Sequence, residues 1–302
     1  MSKFRNSSLL QPGENVTDDA LLTEMNILAS ERRINQISRR NFLATTSLAA
    51  GAAGTLALTG CSTGSNTGLL TPPTTTTAPT VSDILNFALN LEYLEATFYL
   101  TLTTGTGLPA ALQGTSPGAV TGSLAQVTFV DPGVQDLANQ LAADELAHVT
   151  FLRATMQSLS LTPVDMPALN LAALGAITTD AQFLAIARQL EATGVSAYEG
   201  AIGGLVSNVA ALNYAAVIHD TEGQHEGALR QYCIANGVTS GAIDSADVPP
   251  TATTIFNTNG TTGLNTARST SQVLMIAYAN TAAGITSGGF YPNGVNGNIK
   301  ST

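Results

Sequence analysis

A chain of 302 residues carries a formal net charge of −10, with 44% hydrophobic and 11% charged residues. That composition argues against a charged disordered chain, and without a basic stripe it argues against nucleic acid as a partner.

In chain order, the charge is unevenly spread. Lys3, Arg5, Arg32, Arg33, Arg39 and Arg40 are six of the eleven basic residues; after Cys61 there are five, against sixteen acids. "SRRNFL" (38–43) opens an uncharged, Ala/Gly-rich run that reaches Gly60. Ser38, Arg39, Arg40, Phe42 and Leu43 resemble a bacterial twin-arginine export signal; the alternative is an uncleaved N-terminal anchor. "LTGC" (58–61) resembles a lipoprotein processing box, which implies cleavage before Cys61 and lipidation of its thiol, against a chance Cys after a signal peptidase site. These readings place the remainder outside the cytoplasm, in the periplasm or cell envelope, with a membrane anchor at Cys61. Cys233 is then alone, which excludes an intramolecular disulfide and suits a buried thiol.

Four regions follow: a signal and lipobox region (1–61), a Thr/Pro-rich tether (62–80), a helical domain (81–237) and a C-terminal extension (238–302). Apolar periodicity predicts helices over about 82–104, 131–159, 179–205 and 208–236. The first opens at a Ser82-Asp83 cap, and the fourth stops at Asn236-Gly237. Residues 105–130 read as an inserted loop and 160–178 as a long connection. Residues 238–267 look irregular, 271–285 read as a fifth helix, and the tail reads as coil.

Within "DELAHVTFLR" (144–153), Glu145 and His148 share a helix face with apolar neighbours. A buried carboxylate needs a partner, and basic side chains are scarce here. "TEGQHEGALR" (221–230) repeats the pattern with Glu222 and His225. The first and third helices repeat each other too: Glu92 and Tyr99, then Glu191 and Tyr198, each seven apart and on one face. The domain is an approximate duplication of a Glu…Tyr helix and a Glu-x-x-His helix. Iron(II) and manganese(II) accept carboxylate oxygen and imidazole nitrogen together. Four carboxylates balance two divalent ions: two Glu can bridge, two can terminate, and each His can complete one ion.

This donor set resembles that of the ferritin-like superfamily of di-iron and di-manganese carboxylate proteins. "LNLEYLEATFYL", "DELAHV" and the "GGFYPNGVNG" tail look most like the exported bacterial ferritin-like domain family, related to plant desiccation-associated proteins. The resemblance implies an all-α, ferritin-like four-helix bundle with a long crossover between helices 2 and 3, plus an extra C-terminal helix and coil. It implies two Fe or Mn ions on Glu92, Glu145, His148, Glu191, Glu222 and His225, and redox chemistry with dioxygen or peroxide: ferrous oxidation or peroxide removal. The alternatives are a structural or stress-protective envelope protein whose metal only stabilises it, and a partner-binding module using 238–267. A homodimer is compatible with either. Tyr99 and Tyr198 read as hydrogen-bond donors to ligand carboxylates or as core aromatics. Glu95, Glu199 and Glu226 read as solvated or adjacent to the ligands, and His219 as a surface or adjacent residue rather than an extra ligand. Arg153 and Arg230 read as ion-pair partners around the site or as surface residues.

Overall fold

The computed structural model describes residues 78–302, apart from 123 and 174. Arg39, Arg40, Cys61 and the tether up to residue 77 lie outside the described residues. Helix α1 (Val81–Thr104) starts one residue before its expected position, because Thr80 rather than Ser82 is the cap. The Thr80 hydroxyl accepts from the Asp83 N–H, and the Asp83 carboxylate accepts from the Thr80 N–H, a reciprocal box that satisfies two orphan donors. Asp131, Thr179 and Asn208 cap α2 (Pro132–Ser158), α3 (Asp180–Ala201) and α4 (Val209–Ala235) by the same chemistry. The third helix is shorter than expected: its last turn tightens into a 3₁₀ segment, Ile202–Leu205.

Contacts between helix ends set the topology. The Val127 N–H donates to Leu102 O, and Asn86 Nδ2 donates to Thr162 O, so α1 and α2 run antiparallel. Cys233 near the end of α4 meets Leu184 O near the start of α3, so that pair is antiparallel as well. The Asp180 carboxylate accepts from Asp131 N–H at 2.7 Å, which joins the N-termini of α2 and α3. The connection between them therefore returns along the bundle, the long crossover expected from the sequence. α2, at 27 residues, spans about 40 Å.

Every residue of α1 from Ile84 to Tyr99 is buried, the pattern of a helix enclosed on all sides. Much of the enclosure comes from segments that read as irregular. In the inserted loop, β1 (Val120–Thr121) pairs in parallel with β2 (Leu169–Asn170) of the crossover. The fifth helix, α5 (Thr270–Ala277), is about half its expected length. Ala279 turns to φ 51° and the chain folds back, so that Phe290 N–H donates to Ala277 O. Gly289 allows this return: its φ is 48°, and a Cβ there would lie 2.5 Å from Ala277 O. The tail is pinned to α1 through Tyr291 Oη donating to Asn90 O and through two bonds exchanged between Asn90 and Asn296.

Residues 238–267 are held by buried arginines. Arg188, fully buried on α3, donates to both carboxylate oxygens of Asp247 at 2.8 and 2.7 Å and to Ser240 Oγ. Arg268 bridges Asp244 and Ser196 Oγ. Cys233 is buried as expected, and burial pushes its thiol up to about 11. Among the described residues, no helix is long and apolar enough to cross a membrane.

Candidate metal centre

Each bundle helix brings its acidic or imidazole side chain to one place at mid-height. Glu92, Glu145, Glu191 and Glu222 are 0% exposed, and His148 and His225 are 8% and 7% exposed. His148 Nδ1 lies 3.2 Å from oxygens of Glu92, Glu145 and Glu222. His225 Nδ1 lies 3.1 Å from Glu145 Oε1 and Glu191 Oε2. The two imidazoles stack with centroids 5.8 Å apart. The donors form two overlapping groups, each with its ligand atoms within 4.8 Å of one another: Glu92, Glu145, His148 and Glu222, then Glu145, Glu191, Glu222 and His225. Glu145 and Glu222 belong to both. All six residues expected from the sequence are thus gathered, and the buried cluster could hold metal ions.

The tyrosines cross between the repeats. Tyr99 Oη donates to Glu191 Oε1 at 2.6 Å, and Tyr198 Oη donates to Glu92 Oε1 at 2.5 Å. Each thereby fixes the orientation of the carboxylate on the opposite Glu…Tyr helix, as hydrogen-bonding partners of ligands do. On the outer side, His225 Nε2 lies 3.2 Å from Asp144 Oδ2. Sequence reasoning passed over Asp144, although its place beside Glu145 was a signal.

Electrostatics follow from four carboxylates with little basic compensation. Burial raises the Glu222 carboxyl well above its usual range, and the neighbouring Glu145 and Glu191 charges add to it. Burial and Glu92 raise Glu145 to about 7, against hydrogen bonds from His148 and His225 that pull it down. For Glu92 burial is outweighed: the His148 charge and hydrogen bonds with His148, Glu145 and Tyr198 hold it below the usual value. Burial works against charge on both imidazoles, yet Glu92, Glu145 and Glu222 raise His148 strongly, and Glu145 and Glu191 raise His225 to about 11. Without metal, the cluster is held together by close contacts of His148 and His225 with Glu92, Glu145 and Glu191 and by the two tyrosine hydroxyls. Apart from the 3.2 Å approach of His148 Nδ1, which lacks good hydrogen-bond geometry, Glu222 has no partner for either oxygen among the described residues. An orphaned buried carboxylate within reach of three others and two imidazoles fits a cation site.

A family model described as "Ferritin-like domain" matches residues 80–235. The chain belongs to the ferritin-like family. No curated protein matches it. The matched segment of this ferritin-like chain ends with α4, so residues 236–302, including α5 and the pinned tail, are additional to it.

The other singled-out residues divide. Glu95 is buried beside the centre rather than solvated, and burial and four glutamates push its carboxyl well up. Glu226 is also buried, away from the ligand groups, accepting from Asn257 Nδ2 and paired with Arg230 at 3.5 Å. Arg230 further donates to Ile255 O and Thr254 O, and Arg153 to Tyr93 Oη and Val164 O. Neither arginine pairs with the Glu/His cluster among the described residues; one secures the extension and the other the crossover. Glu199 and His219 are half-buried and line a separate cleft with Asp220 and Gln224.

Proposed function

We propose that this ferritin-like protein binds two iron or manganese ions and uses them to oxidise ferrous iron or to react with dioxygen or peroxide. The observation that carries the reading is the pair of overlapping three-Glu, one-His groups that share Glu145 and Glu222. In this reading Glu145 and Glu222, common to both groups, would help to hold both ions, Glu92 and His148 would hold one, and Glu191 and His225 the other. The bound pair would supply two electrons, enough with two protons to convert dioxygen to hydrogen peroxide or hydrogen peroxide to two waters. The residues do the rest. The carboxylates neutralise the charge, Tyr99 and Tyr198 hold Glu191 and Glu92 in orientation, and the buried setting limits water.

Export by a twin-arginine signal containing Arg39 and Arg40, anchoring through lipid at Cys61, and work in the periplasm or cell envelope belong to the same proposal; "SRRNFL" and "LTGC" support them. The complete burial of the four carboxylates also suits a stabilising site in a desiccation-type protective protein. One experiment separates the two: metal content measured together with oxygen and peroxide consumption, for the wild-type chain and for Glu145→Ala/His148→Ala. About two ions per chain with turnover lost in the variant supports the redox reading. Bound metal without turnover leaves the stabilising reading, and no metal in either protein refutes both.

A further inference from the structure

A small cavity of about 30 Å3 lies between α1, α3 and the additional C-terminal segment. Leu91, Leu94, Leu190, Ile276, Ala277 and Phe290 form an apolar wall. All of these are buried except Ile276, which together with half-buried Thr193 makes the outer rim. The inner end is polar and defined by a glycine. Glu95 and Gly194 line it there, and a Cβ on Gly194 would lie 2.5 Å from Glu222 Oε2 and 3.4 Å from Glu95 Oε1, so the cavity ends at the bare backbone against which Glu222, a carboxylate shared by both ligand groups, is packed.

We propose that this cavity is the passage by which a small uncharged molecule of the dioxygen class reaches the centre. Its volume exceeds the ~10–15 Å3 needed for one water-sized occupant, and apolar cavities stay dry and accept gases such as xenon. A metal cation would lose its hydration against this wall with a single carboxylate to replace it, so the cavity selects against ions. Three of the wall residues, Ile276, Ala277 and Phe290, lie outside the ferritin-like match. The extension therefore roofs the passage as well as completing the core. The inference deepens the redox reading and rests on it for its kinetic arm; the binding arm does not.

The test uses the full chain. Crystals of metal-free protein pressurised with xenon should show the gas beside Leu94 and Gly194. Ala277→Val and Thr193→Leu, which narrow the passage from two different elements without touching a ligand, should lose that peak. When loaded, both should keep wild-type metal content and consume oxygen several-fold more slowly, whereas Ile276→Ala, which widens the rim, should not slow it. No xenon in the wild-type cavity overturns the proposal, as does wild-type oxygen consumption by both narrowed variants. If the metal-loaded wild type consumes no oxygen, the redox reading fails by itself, and xenon occupancy alone decides whether the cavity admits a small apolar gas.

Discussion

Glu222→Gln separates the two demands made on the buried cluster. Ligand atoms of Glu92, Glu145 and Glu191 all approach Glu222 within 4.8 Å. Burial raises the Glu222 carboxyl well above its usual range when metal is absent, and the neighbouring charges add to it; at an effective dielectric of about 20, one such like-charge pair costs about 3.5 kcal/mol. Glutamine has the shape of a protonated glutamate. At pH 7 the metal-free variant should therefore unfold within about 1 kcal/mol of wild type, and it should be the more stable of the two as the pH rises. With metal the order reverses. At a free metal concentration near 100 times Kd, binding stabilises wild type by about 2.7 kcal/mol, or ~5–11 °C in Tm for a domain of this size. If losing a shared carboxylate weakens affinity at least as much as losing a hydrogen-bonded neighbour of a ligand, by ~10–100-fold, the gain falls to about 0.4–1.4 kcal/mol. Thermal unfolding with and without added Mn(II), on both proteins, reads all four values. A variant that kept the full metal-induced shift would refute the assignment of Glu222 as a shared ligand. One strongly destabilised without metal would refute the account of its buried proton.

The pH dependence has a definite sign. Folding raises Glu145 from 4.5 to about 7 and His225 from 6.5 to about 11, so the folded metal-free protein holds protons that the unfolded chain releases. Their contribution is complete below pH 4.5 and is lost as pH rises through the folded values. Metal-free Tm should thus fall from pH 5 to pH 8, while metal affinity rises because binding must expel those protons; calorimetry in buffers of different ionisation enthalpy counts them. Tyr198→Phe removes the donor to Glu92 Oε1 in a buried place and should weaken metal binding by ~10–100-fold, measured by competition with a chelator, with unchanged helix content. Asp247→Ala strands the buried Arg188 charge and should cost about 3–5 kcal/mol in denaturant unfolding; Arg188→Met with Asp247→Leu should recover much of that loss.

The bundle and the gathering of its six acidic and imidazole residues were legible because both rest on spacing. A period of 3.6 places apolar residues on one side, and glutamate with histidine three residues on cannot avoid sharing a face. The crossing of Tyr99 to Glu191 and Tyr198 to Glu92 was not legible, since spacing places each tyrosine on its own helix only. For Glu95 spacing left solvent and the neighbourhood of the ligands both open, because α1 is enclosed on all sides, partly by a tail whose Gly- and Asn-rich sequence has no period. Arg188 carried a signal that went unused: it falls among Leu184, Ala187, Glu191 and Val195, on an inward face where an unpaired guanidinium would be untenable. Its partner Asp247, 59 residues away in an irregular segment, had none. The fifth helix came out too long because apolar content continues past Ala277 while the backbone reverses at Ala279.

The duplication is imperfect at one informative place. The position that Asp144 holds before Glu145 is occupied before Glu222 by Thr221. His225 therefore leans on an outer carboxylate, and His148 has no equivalent among the described residues. A carboxylate on the far nitrogen holds the orientation of a histidine ring. Two ions in this centre would not have equivalent surroundings: the imidazole of one group is held from the outside as well, and that of the other only from within. A half-loaded molecule would then exist in two distinguishable forms rather than two equivalent ones.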